Sequence, residues 1–119
     1  MGHKYKRITH WNSVNLTGRK KADFIGYLNK FRKGQLSDRE ADRVKRGIEL
    51  VENDIEADEK IIYKGILTLY YYDRMSWERI AEYYDSSLKS VMKFKDRAIS
   101  HLYVYVFPDE AFKEYFGIK

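Results

Sequence analysis

Residues 75–102 read MSWERIAEYYDSSLKSVMKFKDRAISHL. Ser76 stands where a helix N-cap belongs, because its hydroxyl can accept from an otherwise orphaned amide, and Trp77, Ile80, Ala81 and Tyr84 then share one helical face. Asp85-Ser86 forms a turn. Ser87 is a second N-cap candidate, opening a helix whose inner face is Val91, Phe94, Ala98 and Leu102, at spacings of three and four. Ala81 is small at the position where two helices joined by a short turn must approach closely. Asp85 falls where the chain takes the left-handed conformation, which Asp tolerates better than most residues. The pattern predicts a helix-turn-helix over about residues 76–102.

The outer face of the second helix carries Lys89, Lys93 and Ser100, with Ser90, Asp96 and Arg97 alongside; residues 87–102 hold four basic side chains and one acid. A helix anchored by an apolar face and offering Lys and Ser near its N-terminus suits the major groove of duplex DNA, which admits one helix and displays distinct donor and acceptor edges. Lys89 and Lys93 have the reach for a guanine edge or a phosphate. Ser87 and Ser90 can donate to phosphate, and Leu88 and Met92 can meet a thymine methyl. Arg97, a turn further on, and Lys95, nearer the buried side, are candidate phosphate contacts. The plain alternative is a helical hairpin with a solvated basic face.

The 119-residue chain is 44% hydrophobic and 34% charged, which suits one folded domain rather than a disordered polymer. One Pro and seven Gly argue against an all-β chain. The net charge of +5 is divided: residues 1–34 carry nine Lys or Arg against one acid, residues 35–59 four against nine, and residues 60–119 ten against eight. Residues 1–18 lack periodicity and read as a basic flexible arm, whose Lys4, Lys6 and Arg7 are further candidate phosphate contacts. Residues 19–72 read as an N-terminal helical region. In it, Phe24, Leu28 and Phe31 recur at helical spacing before a capping Gly34, and Ser37 and Glu40 form a capping box. Ala41, Val44, Ile48, Val51 and Ile55 then make a stripe for packing on another helix. A further helix carries Ile62, Ile66 and Leu69, with Asp58 as a cap candidate. Residues 38–72 can form one long helix or two with a break near 54–58, and the break is preferred. Residues 73–119 comprise the helix-turn-helix and an aromatic tail, in which Phe107, Phe112, Tyr115 and Phe116 cover the core or form a dimer interface. The expected fold is all-α, with four to five helices.

Ser76-Trp77-x-x-Ile80-Ala81, Ser86-Ser87-x-x-Ser90-Val91 and Arg97-Ala98-Ile99-x-x-Leu102 together resemble the DNA-binding helix-turn-helix of sigma factor region 4. More closely, they are similar to phage late-transcription activators of the ArpU and RinA kind, which carry this module at the C-terminal end. The resemblance covers about 40 residues up to Leu102. It implies double-stranded promoter or operator DNA as partner, contact with bacterial RNA polymerase, a bacterial host cell, and groove-facing roles for Leu88, Lys89, Ser90, Met92 and Lys93. Leu88, Lys89 and Met92 depart from the Arg and Glu that sigma factors mainly use there.

No apolar run is long enough to span a membrane, and the basic N-terminus lacks a signal peptide's apolar core, so a cytoplasmic location is expected. With no Cys, thiolate metal sites and Cys nucleophiles are excluded. His3, His10 and His101 form no ligand spacing, and His101 reads as a helix-surface residue. Neither a phosphate loop nor a nucleophile elbow is present, so no enzyme activity, cofactor or metal is expected. Because one small helix-turn-helix binds weakly alone, a homodimer or higher homo-oligomer is expected. Two rival readings stay open. One is a phage small terminase subunit that recognises packaging-site DNA and assembles through the stripe Ala41 to Ile55. The other is a protein interaction module without DNA affinity, acting through Phe107, Phe112 and Phe116.

Overall fold

Glycine and serine set the helix boundaries in the computed structural model, which describes residues 16–52 and 61–116. Helix α1, Gly18–Arg32, buries Phe24, Leu28 and Phe31. It stops at Gly34, whose φ of 71° lets the Gly34 N–H donate to the Phe31 carbonyl and the Gln35 N–H to the Lys30 carbonyl. That is the Schellman arrangement, which satisfies carbonyls a helix end leaves orphaned. Helix α2, Asp38–Leu50, opens on the predicted capping box, Ser37 accepting from the Glu40 amide and the Glu40 carboxylate accepting from Ser37. Val51 leaves the helix with ψ of 130°, so residues 38–72 are not one helix. Helix α3, Tyr63–Leu67, runs on into a π-helical turn, Thr68–Tyr72, and α4 spans Trp77–Tyr83. The longest, α5, spans Leu88–Val106. Helix α6, Pro108–Phe116, begins with a proline where the missing N–H costs nothing and carries Asp109 and Glu110 in its first turn.

The described residues are all-helical, and their six α-helices exceed the expected four to five because the C-terminal tail is itself a helix. Other expectations change as well: α2 ends at Leu50, before the break expected near 54–58. Leu16, assigned to the arm, is buried in the main core, so the arm is at most 15 residues, and those lie outside the described residues. Ile62, assigned to an inner face, is 51% exposed, because α3 starts one residue later and Tyr63 takes the inward position. Ile62 is also that helix's N-cap residue; Asp58, the cap expected from sequence, lies outside the described residues, as does Ile55.

Helix α5 organises the packing. Around its C-terminal half, α1, α2, α3 and α6 supply the main core, with Leu28, Val44, Ile48, Tyr63, Leu102 and Val106. Gly47 permits the closest approach: a Cβ there would lie 2.9 Å from Leu102 Cδ1 and 3.0 Å from Val106 Cγ2. The stripe on α2 is thus consumed inside one chain, with Val44, Ile48 and Val51 buried. A second cluster of Ile61, Ile66, Ile80, Ala81 and Val91 seats α4 and the start of α5, and Tyr70 and Phe94 pack against both clusters. His101, expected on the surface, is 1% exposed, with its ring centroid 5.3 Å from that of Tyr63. It follows Ala98 by three, an inward spacing, so periodicity carried a signal that its polarity obscured.

Candidate nucleic-acid interface

Two serines and one aspartate build the turn between α4 and α5. Ser76 caps α4 by accepting from the Arg79 amide at 3.2 Å. At the other end Asp85 takes φ of 51°, the Asp85 N–H donates to the Glu82 carbonyl and the Ser86 N–H to the Ala81 carbonyl. This is the Schellman pattern again, with Asp where glycine is usual. Ser87 then caps α5, accepting from the Ser90 amide at 3.1 Å and donating to Ser90 Oγ at 3.0 Å. Ser90 keeps its own hydroxyl hydrogen for another acceptor. Ile80, Ala81, Val91 and Ala98 are buried as the sequence predicts, while Trp77, Tyr84 and Phe94 are half-buried. Tyr84 lies against Gly65, where any side chain would meet its hydroxyl, and burial raises its pKa, which keeps it a neutral phenol.

Burial differs between the halves of α5. From His101 to Val104 four consecutive residues are buried, whereas between Leu88 and Arg97 only Val91 is. The N-terminal half therefore projects, held on one side. Lys89, Lys93 and Arg97 are exposed, and none has a carboxylate within 4.0 Å among the described residues. Leu88 is 44% exposed, and Ser90 and Met92 are half-buried at the flanks. The Arg97 guanidinium lies 5.8 Å from the Phe94 ring centre, which holds it along the helix surface. Asp96 is the one acid here, and its carboxylate is flanked by Lys21 at 3.4 Å and Lys95 at 3.5 Å. The Lys21 contact brings the N-terminus of α1 beside the middle of α5, so the basic first turn of α1 adjoins the cationic face.

Lys95 stands apart from the other candidates. Its side chain is 17% exposed and its ammonium sits 5.8 Å from the Trp77 ring. Trp77 stacks on Tyr70 at 4.0 Å and 11°, and the Arg32 guanidinium covers the other face of that assembly, 4.2 Å from the Tyr70 ring. Arg32 also donates to the carbonyls of Tyr70 and Arg74, which the π-helical turn and the left-handed Arg74 leave outside the helical ladder. This cation–aromatic stack ties α1 to α4 and α5, and sequence reading missed it. Lys4, Lys6, Arg7, His3 and His10 lie outside the described residues, as do the side chains of Tyr115 and Phe116. Phe107 is half-buried and Phe112 is 46% exposed. Among the described residues no group of three or more His, Cys, Asp or Glu is arranged to hold a metal ion, and no helix is long and apolar enough to cross a membrane. No protein-family model, curated protein or solved structure matches the chain.

Proposed function

We propose that the chain is a sequence-specific double-stranded DNA-binding protein that regulates transcription, with residues 76–102 acting as a helix-turn-helix of the sigma region 4 type. The observation that carries this reading is the one-sided burial of α5: its first three turns are anchored by Val91 and offer Lys89, Lys93 and Arg97 outward without acidic partners. Lys89 and Lys93 are four residues apart, about 6 Å along the axis, so both address neighbouring base pairs when the helix lies in the major groove. Ser90 lies on the flank between them and can donate to a base edge. Arg97, laid over Phe94, meets a phosphate, while Lys21, at the start of α1, stays paired with Asp96 at the edge of the face. The resemblance of residues 76–102 to phage late-transcription activators supports a promoter or operator target and a role alongside bacterial RNA polymerase.

Against the packaging-subunit reading, Val44, Ile48 and Val51 of the stripe proposed for assembly are buried within the chain and Ala41 is half-buried, while Ile55 lies outside the described residues. The test is selection of duplexes from a random pool by the full chain, followed by affinities of Lys93→Ala and Arg97→Ala for the selected and a scrambled duplex. Lys93→Ala loses about 1 to 3 kcal/mol of discrimination, whereas Arg97→Ala weakens both duplexes about equally. No enriched sequence, or equal losses for both variants on both duplexes, refutes reading by α5.

A further inference from the structure

At the end of α5 remote from Lys89, α2 and α6 wall a groove of about 680 Å³. The α2 wall carries Arg39, Arg43, Arg46 and Leu50, spaced four, three and four apart and exposed throughout, with the single acid Asp42 beside Arg43, so the wall is net cationic. The α6 wall presents Asp109 and Glu110, and Phe112 follows Pro108 by one helical turn on the same side. Leu50 is 56% exposed and Phe112 46%. Among the described residues no ion pair joins the two walls, so the arginines and the acids face solvent with their charges uncompensated by each other.

We infer that this groove is the surface through which two copies of the chain form a two-fold dimer. A partner of one charge would match one wall and be repelled by the other. A two-fold image of the same surface matches both, because symmetry sets each copy's Asp109 and Glu110 against the other copy's arginine ridge and makes every such contact twice. Leu50 and Phe112 of both copies supply the apolar centre, and Arg and aromatic residues are what such interfaces favour. The location leaves the DNA-reading face open. Tyr105, in the groove, is seventeen residues beyond Leu88, about 26 Å along one continuous helix, so dimerisation at one end of α5 fixes the separation of two reading faces at the other.

The test is sedimentation velocity of the full chain without DNA, across the micromolar range. Wild type passes from monomer to dimer with concentration. Arg43→Glu and Glu110→Arg each weaken the dimer on the order of tenfold, since each places like charges opposite one another twice. The double variant, Arg43→Glu with Glu110→Arg, recovers most of the loss because the swapped pair re-forms across the two-fold. Lys30→Glu, outside the groove, leaves the dimer unchanged, and circular dichroism verifies that all variants are folded. A chain monomeric throughout, a dimer indifferent to both single reversals, or a folded double variant that fails to recover each overturns the interface. Because DNA is absent, a monomer that still selects one duplex sequence refutes this dimer while the reading by α5 stands.

Discussion

Replacing Asp96 by Asn should tighten DNA binding and steepen its salt dependence. In the free protein the Asp96 carboxylate holds Lys21 at 3.4 Å and Lys95 at 3.5 Å, at the edge of the face that carries Lys89 and Lys93. Each additional phosphate neutralised adds about 0.9 to the log–log slope of affinity against salt, or about 3.5-fold in affinity between 50 and 200 mM. Lys21 is 35% exposed on its side chain and sits on the first turn of α1, so its release should supply one full contact. Lys95 is 17% exposed and lies over Trp77, which restrains it, so its share is smaller. The slope should therefore steepen by about 0.9, and by no more than about 1.8. The cost to the fold is minor, because Asp96 is half-exposed and ion pairs at such a surface are worth about 0.2 to 1 kcal/mol each. The Ser100 hydroxyl bonds to the Asp96 backbone carbonyl, which the substitution leaves in place. Fluorescence anisotropy of a labelled duplex over a salt series measures both quantities, and Lys21→Ala in the Asp96→Asn background should return most of the gain. A slope unchanged or flatter in Asp96→Asn, with the protein folded, refutes the placement of DNA along this face.

Three other outcomes follow from the packing. Gly47→Ala gains about 1 kcal/mol of helix propensity but drives a methyl group into Leu102 and Val106, buried atoms about 3 Å away, where overpacking costs about 1 to 3 kcal/mol. The net should be a lower denaturation midpoint, and a rise would mean that α2 and α5 are not in close contact. Ser87→Ala removes the cap of α5 and should cost about 1 kcal/mol, read by thermal denaturation, with weaker duplex binding from a frayed first turn. Burial raises the Tyr71 pKa well above its usual 10.0, so the folded chain holds that proton where the unfolded chain has lost it. Stability should be independent of this group below pH 10 and fall as pH rises beyond it, and Tyr71→Phe should make the alkaline decline shallower. An equally steep decline in the variant, followed by urea unfolding at several pH values, would assign the loss to other tyrosines.

The elements that were legible in the sequence are those closed by bonds within a few residues. The capping box of Ser37 and Glu40, the stop at Gly34, the serine caps of α4 and α5 and the left-handed Asp85 depend on side-chain chemistry and on φ preferences that the local sequence displays. The inner positions of α5 were legible for the same reason, since one helical face repeats every three or four residues. The π-helical turn was not, because Arg32, 38 residues from Tyr70, holds the Tyr70 carbonyl, which a regular helix would pair internally. Nor was the restraint on Lys95, which comes from Trp77 and so from the crossing of α4 and α5.

By itself, then, the sequence determined that the chain is helical, where α1 stops, where α2, α4 and α5 start, and which side of the first half of α5 faces inward, because those follow from short-range hydrogen bonding and periodicity. Only the tertiary structure decided which cations on α5 are unpaired, that the α2 stripe is spent inside the chain, that His101 is buried, and that an arginine ridge and an acidic helix start share one groove. Each of these depends on which surfaces meet across tens of residues of chain, and that is set by the packing of several apolar faces at once rather than by any local pattern.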